Sequence, residues 1–267
     1  MASPIRGADV SMTAEIESLG AQFHSGGRKR ELFWLLYESG VNTVRLRLWV
    51  DPHDERGEAY LGGTNDLDNT VQLARRAKAA GHRILLDLHY SDFWTDPKKQ
   101  RAPKAWRDLR GLDFDIIGLS YYPFWHGTLD DLGANLNDIA ERYGKDVLVV
   151  ETSYAWTDAE PEGHRSVFRS EFAETGGYPA TLEGQSAFLR DQYAVVAAVP
   201  GSRGLGIVYW EPAWLPVDGT TWASRAGMEY GDDVAEGGNP WANQAVFDFE
   251  GNALPSLRVL GQTDGPG

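Results

Sequence analysis

Short apolar runs alternate along this chain with longer segments in which apolar residues recur every three or four positions. The runs predict six β-strands, at Arg6–Val10, Val41–Val50, Arg83–His89, Phe114–Ser120, Asp146–Glu151 and Gly204–Trp210. The helical spacing predicts helices at Arg30–Ser39, Asp66–Ala80, Leu129–Tyr143, Thr181–Val199 and Pro255–Leu260. Strands that alternate with helices are typical of βα units built on a parallel sheet, so we expect an α/β fold.

The chain length fits one barrel, although the strand count falls short of it. A (β/α)8 TIM barrel takes about 250 residues, and this chain has 267. We therefore expect a single domain over residues 1–267, of TIM-barrel type, either complete or reduced to about six βα units.

Charge and composition exclude several classes of function. The formal net charge of −14 argues against nucleic acid, an anionic membrane surface or an acidic pectin backbone as ligand. The absence of cysteine excludes disulfides, thiolate catalysis and cysteine–zinc sites. The start, from Met1 to Pro4, has no charged-then-apolar leader, which leaves a cytoplasmic protein or an exported one whose signal peptide was removed. A neutral polysaccharide fits these constraints, and ten Trp residues suit sugar-binding surfaces as well as a core.

Charged and aromatic residues stand at the ends of the predicted strands. In α/β barrels the site lies at the carboxyl ends of the strands. Alternation along the second strand places Arg45, Arg47 and Trp49 on one face. The other strand ends carry Asp9, His89, Asp92, Trp94, Tyr121, Tyr122, Trp125, Trp210 and Glu211. We expect these residues to build a site, with a purely structural ion-pair network of Arg45 and Arg47 as the alternative.

Glu151 is the sharpest catalytic candidate. It follows an apolar strand directly, where a carboxylate costs free energy unless it is paired or used. The arginines of the second strand, with Tyr121 and Tyr122, are its expected partners. A glutamate held ionised in this way is a suitable glycosidase nucleophile, and a structural ion pair is the alternative.

Seven segments resemble those of the galactanases of glycoside hydrolase family 53. They are Gly7–Ser11, Val44–Pro52, Leu86–Trp94, Asp115–Gly127, Val150–Tyr154, Tyr209–Trp214 and Asn243–Phe249. The resemblance covers nearly the whole chain. It implies a (β/α)8 barrel and retaining hydrolysis of internal β-1,4-galactosidic bonds in the galactan and arabinogalactan side chains of pectin by a secreted enzyme.

The resemblance also implies roles for individual residues. Glu151 matches the catalytic nucleophile, within a shell formed by Arg45, His89, Tyr121 and Tyr122. The implied substrate-binding residues are Asp9, Arg47, Trp49, Asp92, Trp94, Trp125, Trp210 and Glu211. No cofactor is expected for catalysis.

One family feature is absent from the sequence. The family's acid/base glutamate follows an asparagine at the end of strand four, and this chain contains no Asn-Glu dipeptide. We therefore expect strands four and five to be deleted near residues 107–112, a loss of at least about 60 residues at about 30 per βα unit. Asp92 and Glu211 are the carboxylates left near the mouth as substitutes.

The deletion leaves three alternatives for function and two for assembly. The chain is an active or impaired endo-galactanase, a non-catalytic galactan-binding protein, or a structural remnant. Strand edges left open by the deletion favour pairing between chains, so we expect either a monomer or a domain-swapped dimer.

Acidic residues alternate in the loop after Glu151. Asp158, Glu160, Glu162 and His164 match a loop that holds a structural calcium in several bacterial members of the family. Oxygen ligands at alternate positions suit Ca²⁺, and Asp232 or Asp233 could complete the shell. A solvated acidic loop is the alternative.

Overall fold

Six parallel strands form one curled sheet in the computed structural model, which describes residues 3–61, 65–89, 91–95 and 115–262. The strands of this sheet are β1 (Ile5–Asp9), β4 (Thr43–Arg47), β5 (Arg83–Asp87), β6 (Ile116–Ser120), β7 (Asp146–Thr152) and β8 (Gly204–Tyr209). Their spatial order is β5-β4-β1-β8-β7-β6. The six predicted strands are therefore confirmed, and they form a reduced barrel.

Helices pack against the strands of the sheet, namely α3 (Leu67–Ala80), α5 (Leu129–Tyr143), α7 (Leu182–Ala197) and α9 (Pro255–Gly261). Shorter helices lie elsewhere along the chain: α1 (Thr13–Ser18), α2 (Leu32–Glu38), α4 (Pro123–His126), α6 (Glu171–Gly176) and α8 (Arg225–Gly231). The five predicted helices are all present. Within the described ranges, no helix combines the length and apolar character needed to cross a bilayer.

Capping residues explain where the long helices begin and end. Thr128 starts α5 with a capping box, in which its hydroxyl accepts from the Asp131 N–H while the Asp131 carboxylate accepts from the Thr128 N–H. Asp66 caps α3 through the Asn69 N–H. Gly81 ends α3 in the left-handed conformation at φ 104°, which glycine adopts readily.

A small hairpin precedes the second helix. Its strands β2 (Phe23–Ser25) and β3 (Arg28–Arg30) pair antiparallel, joined by two glycines with positive φ. The predicted helix at Arg30 therefore begins two residues later, at Leu32. Helix propensity could not predict this boundary, because it depends on the cap. Glu31 has an extended backbone conformation, and its carboxylate accepts the Trp34 N–H as the N-cap of α2.

The two outer strands β5 and β6 make no pair with each other among the described residues. Leu86 on β5 and Ile116 on β6 have exposed side chains at these edges. The predicted deletion, near residues 107–112, lies outside the described residues. This open sheet is the arrangement expected of an eight-stranded barrel that lacks the two strands between β5 and β6.

Candidate active site

A cleft of about 880 Å³ opens at the carboxyl ends of the strands. Predicted site residues that line it are His89, Trp94, Tyr122, Trp125, Glu151 and Trp210. Lining residues that sequence reasoning missed are Thr95, Ser120, His126, Arg165, Ser166, Val167, Arg169, Trp214, Trp222, Asp233, Ala235, Glu236, Pro240 and Trp241. Most of the missed residues lie in loops, where no strand or helix period marks which side chains point inward.

Arg45 gathers three carboxylates beneath this cleft. Its guanidinium lies 2.7 Å from Asp9, 2.7 Å from Asp87 and 3.0 Å from Glu151. The parallel register places Asp9 of β1 directly beside Arg45 of β4, which explains the first contact. Burial opposes the charge of Arg45, but the three carboxylates raise its pKa above the ordinary value.

Arg47 lies two residues after Arg45 on β4 and extends this buried network of ion pairs through Asp9. It contacts Asp9 at 3.4 Å and Glu211 at 2.5 Å, and the Met12 N–H also donates to Glu211. Its guanidinium stacks between the rings of Trp94 and Trp210, with centroids 4.7 and 4.4 Å away. The stacking joins the polar floor of the site to the aromatic surface above it.

Glu151 is held at the end of β7 with one side facing the cleft. Arg45 binds its Oε1, and the Ser120 hydroxyl donates to its Oε2 at 3.3 Å. Its backbone carbonyl accepts the Tyr121 N–H at 2.8 Å, which joins the end of β7 to the end of β6. The side chain is 20% exposed, so a ligand can reach a carboxylate whose orientation is already fixed.

Asp87 and His89 form a hydrogen-bonded pair beside Glu151. The His89 Nδ1 lies 3.1 Å from the Asp87 carboxylate, and its Nε2 lies 3.4 Å from the Thr95 hydroxyl. Burial would raise the pKa of Asp87, but the hydrogen bond to His89 and the charge of Arg45 lower it below the ordinary value. Asp87 therefore stays ionised and orients the imidazole.

Four tryptophan rings form a continuous strip across the cleft. Trp94 lies 5.8 Å from Trp210, Trp210 lies 6.4 Å from Trp241, and Trp241 lies 6.0 Å from Trp125. Rings in this arrangement offer apolar faces for stacking against sugars. Trp241 was missed from the sequence, although its place in a Gly- and Trp-rich loop was the available signal.

The two candidate tyrosines differ in position. Tyr122 lines the cleft, and burial, with a further contribution from Glu151, raises its pKa well above 10. The Tyr121 hydroxyl instead donates to the Gly127 carbonyl at 2.9 Å. Tyr122 is thus the tyrosine that a ligand in the cleft would meet.

Five predicted substrate-binding residues lie below or beside the cleft rather than on its surface: Asp9, Arg47, Trp49, Asp92 and Glu211. Trp49 is 1% exposed and packs its ring against His89, Phe93 and Trp94. Asp92 accepts the Asp51 N–H at 3.0 Å, away from the cleft lining. These residues can support the site but do not line its surface.

Glu211 is therefore poorly placed to act as a substitute acid. Only 1% of it is exposed, and both Arg47 and the Met12 N–H bind its carboxylate. Burial raises its pKa, while the neighbouring guanidinium opposes that rise. Strand-end position alone could not predict this depth.

The predicted calcium site has no support in the described residues, which contain no group of three acidic or histidine side chains placed to hold a metal. Glu160 accepts the Ser166 N–H, Asp158 accepts the Ser170 hydroxyl, and the His164 Nδ1 accepts the Asn239 N–H. These side chains are therefore engaged in separate local hydrogen bonds and do not converge on a common point.

A buried carboxyl group anchors the cleft wall that carries Trp222. Glu15 of α1 accepts the Thr221 N–H at 3.0 Å, and the Trp222 N–H donates to the Gly238 carbonyl at 2.8 Å. Burial raises the pKa of Glu15 to about 7, and hydrogen bonds from Thr221 and Thr220 oppose the rise only in part.

Replacing Arg47 by methionine should lower the free energy of unfolding by about 3–5 kcal/mol, because Glu211 and Asp9 lose a buried cationic partner. Urea denaturation measures this change. Arg142→Met is the control, since it removes only an exposed ion pair with Asp138 and should leave stability unchanged. A stability of Arg47→Met equal to that of the wild type would contradict the assignment.

Replacing Glu15 by glutamine should remove a pH dependence of stability. The pKa rises from 4.5 to about 7 on folding, so the native state binds the extra proton between these values. Glu15 should therefore contribute its full stabilisation below pH 4.5 and lose about 3 kcal/mol of it as the pH rises to about 7. Urea denaturation across this range should give a flatter profile for Glu15→Gln, and an unchanged slope would disprove the role of Glu15.

Comparison with known proteins identifies the family of this chain. The model of glycosyl hydrolase family 53 matches residues 5–111 and 107–260, and so divides at the predicted deletion. An endo-beta-1,4-galactanase of Bacillus subtilis (strain 168) is 32% identical, over 96% of this chain and 85% of its own length. That alignment runs over 366 positions, more than the 267 residues of this chain, so the relative contains residues that this chain lacks.

Solved structures agree with this relationship. The catalytic domain of a family 53 enzyme from Ignisphaera aggregans has a TM-score of 0.86 at 32% identity, covering 96% of this chain and 95% of its own. A fungal beta-1,4-galactanase structure, at 24% identity and a TM-score of 0.71, covers 97% and 99% and shares the fold. With the sequence match over most of its length, this chain belongs to glycosyl hydrolase family 53.

Proposed function

We propose that this protein is a retaining endo-glycosidase that hydrolyses internal β-1,4-galactosidic bonds in galactan and arabinogalactan. One observation carries the proposal: Glu151 is oriented by Arg45 and Ser120 and faces a cleft lined by a strip of tryptophans. The B. subtilis relative named as an endo-beta-1,4-galactanase supports this choice of substrate. The strongly negative net charge is compatible with a neutral polymer.

Glu151 is the proposed nucleophile. Attack of its carboxylate on the anomeric carbon forms a glycosyl-enzyme ester, and the departing sugar oxygen takes up a proton. Arg45 and Ser120 hold the carboxylate for attack and stabilise its charge between turnovers. His89 and Tyr122 line the same cleft and can donate hydrogen bonds to sugar hydroxyls.

The source of the proton decides how active the protein is. Retaining glycosidases place a second carboxyl group about 5–5.5 Å from the nucleophile. The carboxylates that line the described cleft besides Glu151 are Asp233 and Glu236. Absence of general acid assistance would slow hydrolysis of galactan by about 10²–10⁴-fold, because a sugar is a poor leaving group.

A galactan-binding protein without catalytic activity is the second candidate. The absence of an Asn-Glu dipeptide favours it, since the resemblance places the acid/base glutamate in that pair. Under either candidate we propose action outside the cell, because polymeric galactan is too large to enter unaided.

Activity should depend on Glu151 and on the leaving group. The wild type should cleave a dinitrophenyl β-galactobioside, whose leaving group needs no proton, and Glu151→Gln should lose this activity by at least about 10³-fold. Release of dinitrophenolate and of reducing sugar from galactan measures the two reactions. Glu141→Gln is a matched control, because it makes the same change at an exposed position of α5 outside the cleft lining.

The outcomes separate the two candidates. Cleavage of both substrates means that another residue supplies the proton. Cleavage of the activated substrate alone means that Glu151 works without an acid. Failure to cleave either substrate by a folded protein that binds galactan supports the second candidate. Activity that survives in Glu151→Gln would overturn the assignment of the nucleophile.

A further inference from the structure

The two ends of the cleft differ in charge. At the Trp94 end, the Trp94 indole donates to the Trp222 carbonyl, and the Trp222 indole donates to the Glu236 carbonyl. The carboxylates of Asp233 and Glu236 line the cleft in this neighbourhood. At the other end the aromatic strip finishes at Trp125, which is 50% exposed. Two arginines, Arg165 and Arg169, accompany Trp125 and Trp241 there, and the Glu160 carboxylate accepts the N–H of Ser166, the residue after Arg165.

Arg165 and Arg169 supply the positive charge. Both line the cleft and are exposed to solvent. The Val167 N–H, between them in sequence, donates to the Pro240 carbonyl at 2.8 Å, which ties this segment beside Trp241. Among the described residues neither arginine has an ion pair or a side-chain hydrogen bond, in contrast to Arg45 and Arg47 beneath the cleft. Their guanidinium groups are therefore available to a ligand.

Ser166 adds a second polar group with no assigned function. It lines the same part of the cleft and is 3% exposed, yet its hydroxyl has no hydrogen-bond partner among the described residues. A buried hydroxyl without a partner costs free energy, and such groups are commonly completed by a ligand or a bound water. The backbone N–H of Ser166 is fixed by Glu160, so the residue is held in place.

We propose that the Trp125 end of the cleft is a subsite for a sugar that carries a carboxylate. Free guanidinium groups bind carboxylates by charge-assisted hydrogen bonds that a neutral sugar cannot form. The net charge of −14 and the acidic opposite end disfavour a polyanion, so the subsite selects a single acidic sugar within an otherwise neutral chain. This inference rests on the proposed binding of galactan and names a further feature of that substrate.

Binding of lightly oxidised galactan tests the subsite. Oxidation of occasional galactose C6 alcohols to carboxylates leaves the backbone unchanged, so neutral galactan is the matched ligand. Glu151→Gln serves as the background variant, because it prevents cleavage during affinity electrophoresis. We expect it to bind the oxidised polymer about three- to tenfold more tightly than the neutral polymer at low salt, the size that exposed ion pairs allow. About 0.5 M salt should remove the preference.

Charge-matched variants identify the residues responsible. Adding Arg165→Gln and Arg169→Gln should abolish the preference and leave affinity for neutral galactan within about twofold. Adding Arg190→Gln and Arg258→Gln, on the exposed surfaces of α7 and α9, changes the net charge equally and should leave the preference intact.

Three results would overturn the inference. Equal affinity of the background variant for the two polymers would refute the subsite and leave the proposed function standing. An equal loss of affinity for both polymers in the Arg165→Gln/Arg169→Gln variant would show that these arginines bind neutral hydroxyls. Binding of neither polymer by the folded protein would refute the proposed function together with the inference.

Discussion

Arg45 is buried beneath the cleft, and the site above it depends on the charge of this one guanidinium. Strand β4 brings Arg45 between Asp9 of β1 and Asp87 of β5, and Glu151 reaches it from β7. Separately, each buried charge would cost several kcal/mol of desolvation. Together they compensate one another, so the Glu151 carboxylate is held in a fixed orientation before any ligand binds. Preorganisation of this kind is what electrostatic catalysis requires.

The second arginine links this polar floor to the surface that a sugar would contact. Arg47 holds Glu211 on one side and stacks against Trp94 and Trp210 on the other. The tryptophan strip thus begins at the two rings that contact Arg47 and extends through Trp241 to Trp125. An extended aromatic surface suits a polymer. A charge difference between the two ends of the cleft would favour one orientation of the bound polymer over the other.

Sequence reasoning predicted those features that follow from strand periodicity. The six strands, the inward face shared by Arg45 and Arg47, and the placement of Glu151 at a strand end all follow from the alternation of side chains along a strand. Depth within the sheet does not follow from that alternation, so Trp49 and Glu211 could not be recognised as buried supports. Loop residues such as Arg165 and Trp241 were missed because no local period marks them.

The central claim is that Glu151 acts as a nucleophile, and trapping the covalent intermediate tests it most directly. A dinitrophenyl 2-deoxy-2-fluoro-β-galactobioside needs no acid to react, and the fluorine slows release of the enzyme-bound sugar. Mass spectrometry of the digested protein should find one added 2-fluoro-galactobiosyl group, on the peptide that contains Glu151. An adduct on any other residue, or none in a folded protein that binds galactan, would contradict this account.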